Sequence, residues 1–110
     1  MDGMHPIENW LNICGLEDIP VRGARRFNTT TGEIAIFRTS TEEVYAIDNR
    51  CPHKNGPLSE GIVHDHGVTC PLHNWVIDLQ SGQARGADAG CVKTYPAKVS
   101  DGRVMVKLAL

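Results

Sequence analysis

The sequence predicts a small all-β domain, an antiparallel sandwich or barrel with an inserted metal-binding subdomain of two loops. Three observations predict it. Short stretches rich in β-branched and aromatic residues recur along the chain, separated by Gly, Pro, Asp and Asn. No stretch carries the apolar period of a helix of convincing length. The segment Cys51–Trp75, CPHKNGPLSEGIVHDHGVTCPLHNW, holds two of the four cysteines and four of the five histidines. The 110 residues read as one domain, 1–110, with the loop-bearing subdomain at about 49–91.

Taken in order, Trp10 to Cys14 alternates as a strand, with Trp10, Asn12 and Cys14 on one side and Leu11 and Ile13 on the other. Leu16 to Pro20 reads as a turn or a single helical turn ended by proline. Ala24–Thr29 is a strand with Arg25 and Arg26 near a sheet edge, and Thr30-Thr31-Gly32 is a turn. Glu33–Arg38, EIAIFR, is the clearest strand, and Val44–Asp48 returns beside it, so a β-meander accounts for the first half. Asn49–Gly56 and Pro71–Asn74 are irregular loops punctuated by proline and glycine. Between them Ile62–His64 and Val68–Cys70 are two short strands joined through His64-Asp65-His66-Gly67, which suits a hairpin turn. Trp75–Leu79 is a further strand, ended by Ser81-Gly82. Gly86–Gly90 is a run of small residues that lets backbone approach a bulky object. Val92–Val99 is a strand interrupted at Pro96, which implies a sheet edge or a bulge. Asp101-Gly102 turns the chain into the last strand, Arg103–Leu108.

Composition narrows the function classes. Hydrophobic content is 41% and net charge −2, so the chain has a globular composition without the basic block that nucleic acid would demand. No apolar run approaches the ~18 residues of a membrane span. The opening MDGMHPIENWLNIC is acidic, broken by Pro6, and lacks the regions of a secretory signal, so the expected location is the cytoplasm. Reduced thiols that cluster in such a chain hold metal more often than they pair. Cys14 and Cys91 lie apart from the Cys-His pairs and are expected to be small buried hydrophobes.

Cys51-Pro-His53 and Cys70-Pro-Leu-His73 are two Cys-His pairs separated by sixteen residues. These donors suit iron, zinc or copper. A single zinc ion fits the second pair, but one intervening residue in the first splays the side chains. A two-iron cluster is wider, and within each loop the cysteine can bind one iron and the histidine the other. Pro52 and Pro71 stiffen each loop where it leaves its sulfur. His64 and His66 are read as exposed turn residues, His5 as part of a loose terminus, Asp88 as a solvated loop acid, and Trp10 and Trp75 as packing residues.

Cys-x-His, a sixteen-residue gap and Cys-x-x-His, each opening on Cys-Pro, resemble the Rieske-type [2Fe–2S] ferredoxin family. Gly56-Pro57-Leu58-Ser59, Trp75, Ser81-Gly82 and Tyr95–Val99 with Asp101-Gly102 extend the likeness over about Trp10 to Leu108. The resemblance implies a [2Fe–2S] cluster with Cys51 and Cys70 as sulfur ligands and His53 and His73 as nitrogen ligands, the rings forming its most exposed edge. High-potential members carry an extra cysteine in each loop and a serine hydrogen-bonded to the cluster. Here Leu72 stands in the second loop, the first has no second cysteine, and Asn74 is followed by Trp75. Fewer donors leave the reduced cluster less stabilised, so the expected potential lies near the low end of the Rieske range, roughly −150 mV.

A lone Rieske cluster has no open coordination site, and the chain carries no G-x-G-x-x-G fingerprint, so it is expected to carry electrons while chemistry happens elsewhere. Trp10-x-x-Ile13-Cys14, Ile19-Pro20, Cys51–Ser59, Cys70–Trp75 and Gly86-x-Asp88-x-Gly90-Cys91 look like the small subunit of NAD(P)H-dependent assimilatory nitrite reductase. That likeness implies a large partner subunit with flavin, iron–sulfur and sirohaem groups that reduces nitrite to ammonium. The second reading is the ferredoxin of an aromatic-ring dioxygenase system; those ferredoxins more often place Gly where Asn74 stands. The third is a structural zinc module.

Overall fold

The computed structural model describes residues 10–30, 32–51, 56–71, 75–85 and 90–108. Within them the strands are β1 (Trp10–Gly15), β2 (Gly23–Thr29), β3 (Gly32–Arg38), β4 (Val44–Asp48), β5 (Ile62–His64), β6 (Gly67–Thr69), β7 (Val76–Asp78), β8 (Thr94–Tyr95), β9 (Ala97–Ser100) and β10 (Arg103–Lys107). Helical structure is confined to two 3-10 turns, Leu16–Asp18 and Leu58–Glu60. The fold is all-β, as expected. No helix of the described residues is long and apolar enough to cross a membrane.

The strands make three antiparallel sheets, ordered β1-β10-β9, β2-β3-β4-β8 and β5-β6-β7. The second sheet lies between the other two, and β3 shows why EIAIFR is apolar without interruption. Ile34 and Ile36 enter one core with Cys14, Ile19, Val44, Ala46, Val104 and Val106. Ala35 and Phe37, on the opposite face, enter a second core built with residues of the third sheet. A strand buried on both faces needs hydrocarbon at every position. β4 does the same with Ala46 on one side and Ile47 on the other.

Three expectations need correction. The meander covers only β2-β3-β4; β1 pairs with β10, so residues near the two ends of the chain share a sheet. Alternation along β1 fails because Ile13 is a bulge between Asn12, opposite Met105, and Cys14, opposite Val104. Cys14 is therefore buried while Asn12 is exposed and accepts a hydrogen bond from Arg103 Nε at 2.9 Å. Trp10, read as packing, is half-buried under Lys98, whose Nζ stands 4.3 Å from the ring centroid.

The proline interruption has a structural use. β8 pairs with β4 and β9 with β10, so at Pro96 the chain crosses from the edge of one sheet to the edge of another. Asp101 (φ 52) and Gly102 (φ 76) make the expected two-residue hairpin, both in the left-handed region. In the β5–β6 hairpin the positive φ falls on Asp65 (49), with His66 as the second turn residue.

β8 is only two residues long, and its anchor is a side-chain bond: Tyr95 Oη donates to Asp48 Oδ1 at 2.7 Å. Burial, and then this carboxylate, push the Tyr95 phenol up to about 12. Unfolded tyrosine titrates near ~10, so this contribution is whole below that pH and is lost as pH rises through the folded value. Tyr95→Phe should cost about 1 kcal/mol at neutral pH and flatten the alkaline fall in stability. Urea unfolding at neutral and strongly alkaline pH checks both effects.

Candidate metal centre

The second core holds the two paired cysteines. Cys51 follows β4 and Cys70 follows β6; both are fully buried, among Phe37, Ile47, Leu58, Val68 and Ile77. β4 belongs to the central sheet and β6 to the third, so two sheets converge to deliver one sulfur each. Trp75 packs against the same cluster, as expected of it.

Each sulfur sits at the mouth of a loop closed by the same bond. Cys51 N–H donates to Gly56 O at 2.8 Å, and Cys70 N–H donates to Trp75 O at 2.7 Å. Both closures join residue i to residue i+5. The structure thereby turns the loose likeness of the two Cys-Pro segments into a shared backbone frame. His53 and His73, with Pro52, Leu72, Asn74 and Asp88, lie outside the described residues.

The stems of the two loops touch. Gly61 leaves the 3-10 turn Leu58–Glu60, and a Cβ placed on it would collide with the Thr69 carbonyl oxygen and lie 3.0 Å from Val68 Cγ2. The exit of the first loop is thus packed on the entry to the second. Below the first loop, Asn49 is one of the few buried polar residues. Its Nδ2 donates to Glu33 Oε1 at 2.7 Å and its Oδ1 accepts the Ser59 N–H at 2.7 Å. Arg26 extends this tie by pairing with Glu60. Ser59 Oγ is buried without a hydrogen-bond partner among the described residues.

Of the other candidates, His66 is exposed, with Nε2 2.8 Å from Glu43 Oε1 and its ring edge-on to Tyr45. The contact with His66 holds the Glu43 carboxyl below its ordinary range. His64 is half-buried rather than exposed, with Nε2 2.8 Å from Thr69 Oγ1. Neither joins a metal-binding group among the described residues. Cys14 is buried in the first core, as expected, and burial raises its thiol pKa. Cys91 is exposed, against expectation; among the described residues its segment is tied by an isolated bridge to Gln83, and no described element covers it.

The donor chemistry fits a metal cluster. The described core around Cys51 and Cys70 is apolar, and no carboxylate is buried among the described residues. A thiolate there is costly unless a cation neutralises it, and coordination deprotonates a thiol outright. Asn49 and Gly61 are not legible as site residues in the sequence. An Asn two residues before Cys51 and a Gly two residues after Ser59 carry no local pattern that names their distant partners.

Comparison with known proteins agrees with this frame. A family model described as a Rieske-like [2Fe–2S] domain matches residues 9–107. The 3-phenylpropionate/cinnamic acid dioxygenase ferredoxin subunit of Photorhabdus laumondii is 38% identical over 101 residues, covering 90% of this chain and 94% of that protein. The ferredoxin component of a Ralstonia naphthalene 1,2-dioxygenase/salicylate 5-hydroxylase system is 33% identical over 102 residues, covering 92% and 97%. Among solved structures, a candidate NADH-dependent nitrite reductase small subunit from Mycobacterium tuberculosis superposes with a TM-score of 0.83 at 26% identity, covering 94% of this chain and 99% of that one. On this match in fold and sequence, the chain belongs to the Rieske-like [2Fe–2S] domain family, as an electron carrier whose cofactor is a Rieske-type [2Fe–2S] cluster.

Proposed function

We propose that this chain is the ferredoxin of an aromatic-ring-hydroxylating dioxygenase system, passing electrons from a reductase to a terminal oxygenase. The observation that carries the reading is the near full-length likeness, at 38% and 33% identity, to ferredoxin components of such systems. It reverses the weight given to nitrite reductase by the short motifs of the sequence. Cys51 and Cys70 supply the sulfur ligands, and His53 and His73 the nitrogen ligands. When bound, a Rieske cluster takes up and releases one electron at a time. The chain's own residues bury the sulfur side in hydrocarbon and fix the mouths of both loops through the Cys51–Gly56 and Cys70–Trp75 bonds.

The second reading is the small subunit of NAD(P)H-dependent nitrite reductase, beside a large flavin, iron–sulfur and sirohaem subunit. The superposition on the Mycobacterium tuberculosis protein favours it. Affinity purification of the tagged chain from its own cells separates the two. Recovery of an oxygenase or a flavoprotein reductase supports the first; recovery of a sirohaem protein replaces it with the second.

Both readings share a potential. With Leu72 in place of a second-loop cysteine, and no disulfide or serine donor, the midpoint should fall near roughly −150 mV. Redox titration followed by visible circular dichroism measures it. A midpoint above about 0 mV would contradict the inference from the missing donors.

A further inference from the structure

We infer that Asn49 is a positioning residue for the cluster, clasping the Cys51 loop from outside so that the loop holds one conformation around its ligand. The inference rests on Cys51 being a sulfur ligand. The loop leaves β4 through Asn49 and Arg50 and re-enters regular structure at the 3-10 turn Leu58–Glu60. Pro57 is the N-cap of that turn and makes no side-chain capping bond. Asn49 supplies the bond from ten residues upstream, where its Oδ1 accepts the Ser59 N–H. Its Nδ2 is spent on Glu33, and its own backbone N–H donates to Glu33 O at 2.9 Å. The carboxamide is therefore fixed at both ends and cannot rotate without breaking a bond.

This clasp encloses the inner closure. Cys51 N–H to Gly56 O joins the loop ends at the sulfur, and Asn49 Oδ1 to Ser59 N–H joins them one step further out. Leu58, between the two bonds, is fully buried in the core that holds Cys51. The stem of the Cys70 loop is held by strand pairing of β6 with β5 and β7. The first loop has no strand directly after it, so a side chain does that work. Hydrogen bonds from loop N–H groups tune an iron–sulfur centre. A loop that samples several conformations presents those groups unevenly, and the spectrum of the reduced cluster records it.

The test uses the cluster-loaded protein. Asn49→Ala should broaden or shift the electron paramagnetic resonance signal of the reduced cluster. It should also speed the loss of visible absorption in an iron chelator several-fold, at a temperature where far-ultraviolet circular dichroism shows both proteins folded. The double variant Asn49→Asp/Glu33→Gln keeps net charge and reverses the bond between the two side chains. The new amide donates to the new carboxylate, which still accepts the Ser59 N–H. It should restore signal and chelator rate toward the parent. If Asn49→Ala fails to fold, Asn49→Asp takes its place, because it sets two carboxylates against each other; it must alter the signal, and the double variant must return it. A lower melting temperature with unchanged signal and chelator rate would overturn the proposal and leave Asn49 a structural residue only. Cys51→Ala is measured alongside. Retention of colour there would remove the ligand assignment itself, a failure distinct from that of Asn49.

Discussion

Replacing Cys70 or Cys51 with alanine will give a folded protein without red-brown colour, iron or acid-labile sulfide. Both side chains are fully buried in one apolar core, delivered by two different sheets. With Cys51 and Cys70 as the proposed sulfur ligands, removing either takes a thiolate from the cluster, and neither remaining cysteine is placed to replace it. Cys14 lies in the first core, on the opposite face of the central sheet, and Cys91 is exposed and bridged to Gln83. The fold should survive, because the first core includes neither residue and a Cys→Ala truncation removes only one heavy atom from the second. Cys14→Ala is the matched control: it should cost roughly 1 kcal/mol through the small cavity it leaves, and keep full colour. Iron and sulfide analysis with a visible spectrum reads all three variants. Parental iron and sulfide in Cys51→Ala or Cys70→Ala would take that residue out of the ligand set. Zinc in place of iron in the parent protein would restore the structural-zinc reading.

Gly61→Ala should destabilise the protein by about 3 kcal/mol, at the upper end of overpacking effects. The added methyl meets the Thr69 carbonyl oxygen and the Val68 side chain, and neither can yield cheaply. Thr69 is held in register opposite Ile62 and Val76, and Val68 is fully buried. Relief therefore requires the first loop's exit to move away from the second loop's entry. That movement separates the stems that carry Cys51 and Cys70, so the variant should also load less cluster. Thermal unfolding and iron content per chain measure the two effects. Gly32→Ala is a useful contrast, since its Cβ would meet nothing within 4 Å although its φ is +144. A Gly61→Ala protein as stable and as well loaded as the parent would show that the stems do not need this contact.

The sequence exposed local features because local features are encoded locally. Strand-forming segments, the Asp101-Gly102 turn and the punctuation by Pro96 depend on neighbours a few residues apart, and all appear in the fold. The Cys-His pairs were legible because donor type and spacing are properties of single loops. The same locality explains the failures. Alternation in β1 broke at Ile13 because a bulge is decided by pairing with β10, about ninety positions away in the chain. Cys91 looked like any other small apolar residue, and its exposure depends on whether another element covers it. His64 could not be known to meet Thr69 until the β5–β6 register was fixed.

The sequence by itself therefore determined the class of the protein: an all-β chain with two sulfur and two nitrogen donors in a Rieske order. Tertiary structure decided how the two sulfur donors are held. It placed β3 between two cores, brought Cys51 and Cys70 into one of them, and set Gly61 against Thr69 and Asn49 between Glu33 and Ser59. The physical reason is the range of the interactions. Ligand identity and backbone preference reside in each residue and its neighbours, whereas burial, close approach and side-chain bonds across the chain exist only once the sheets have paired.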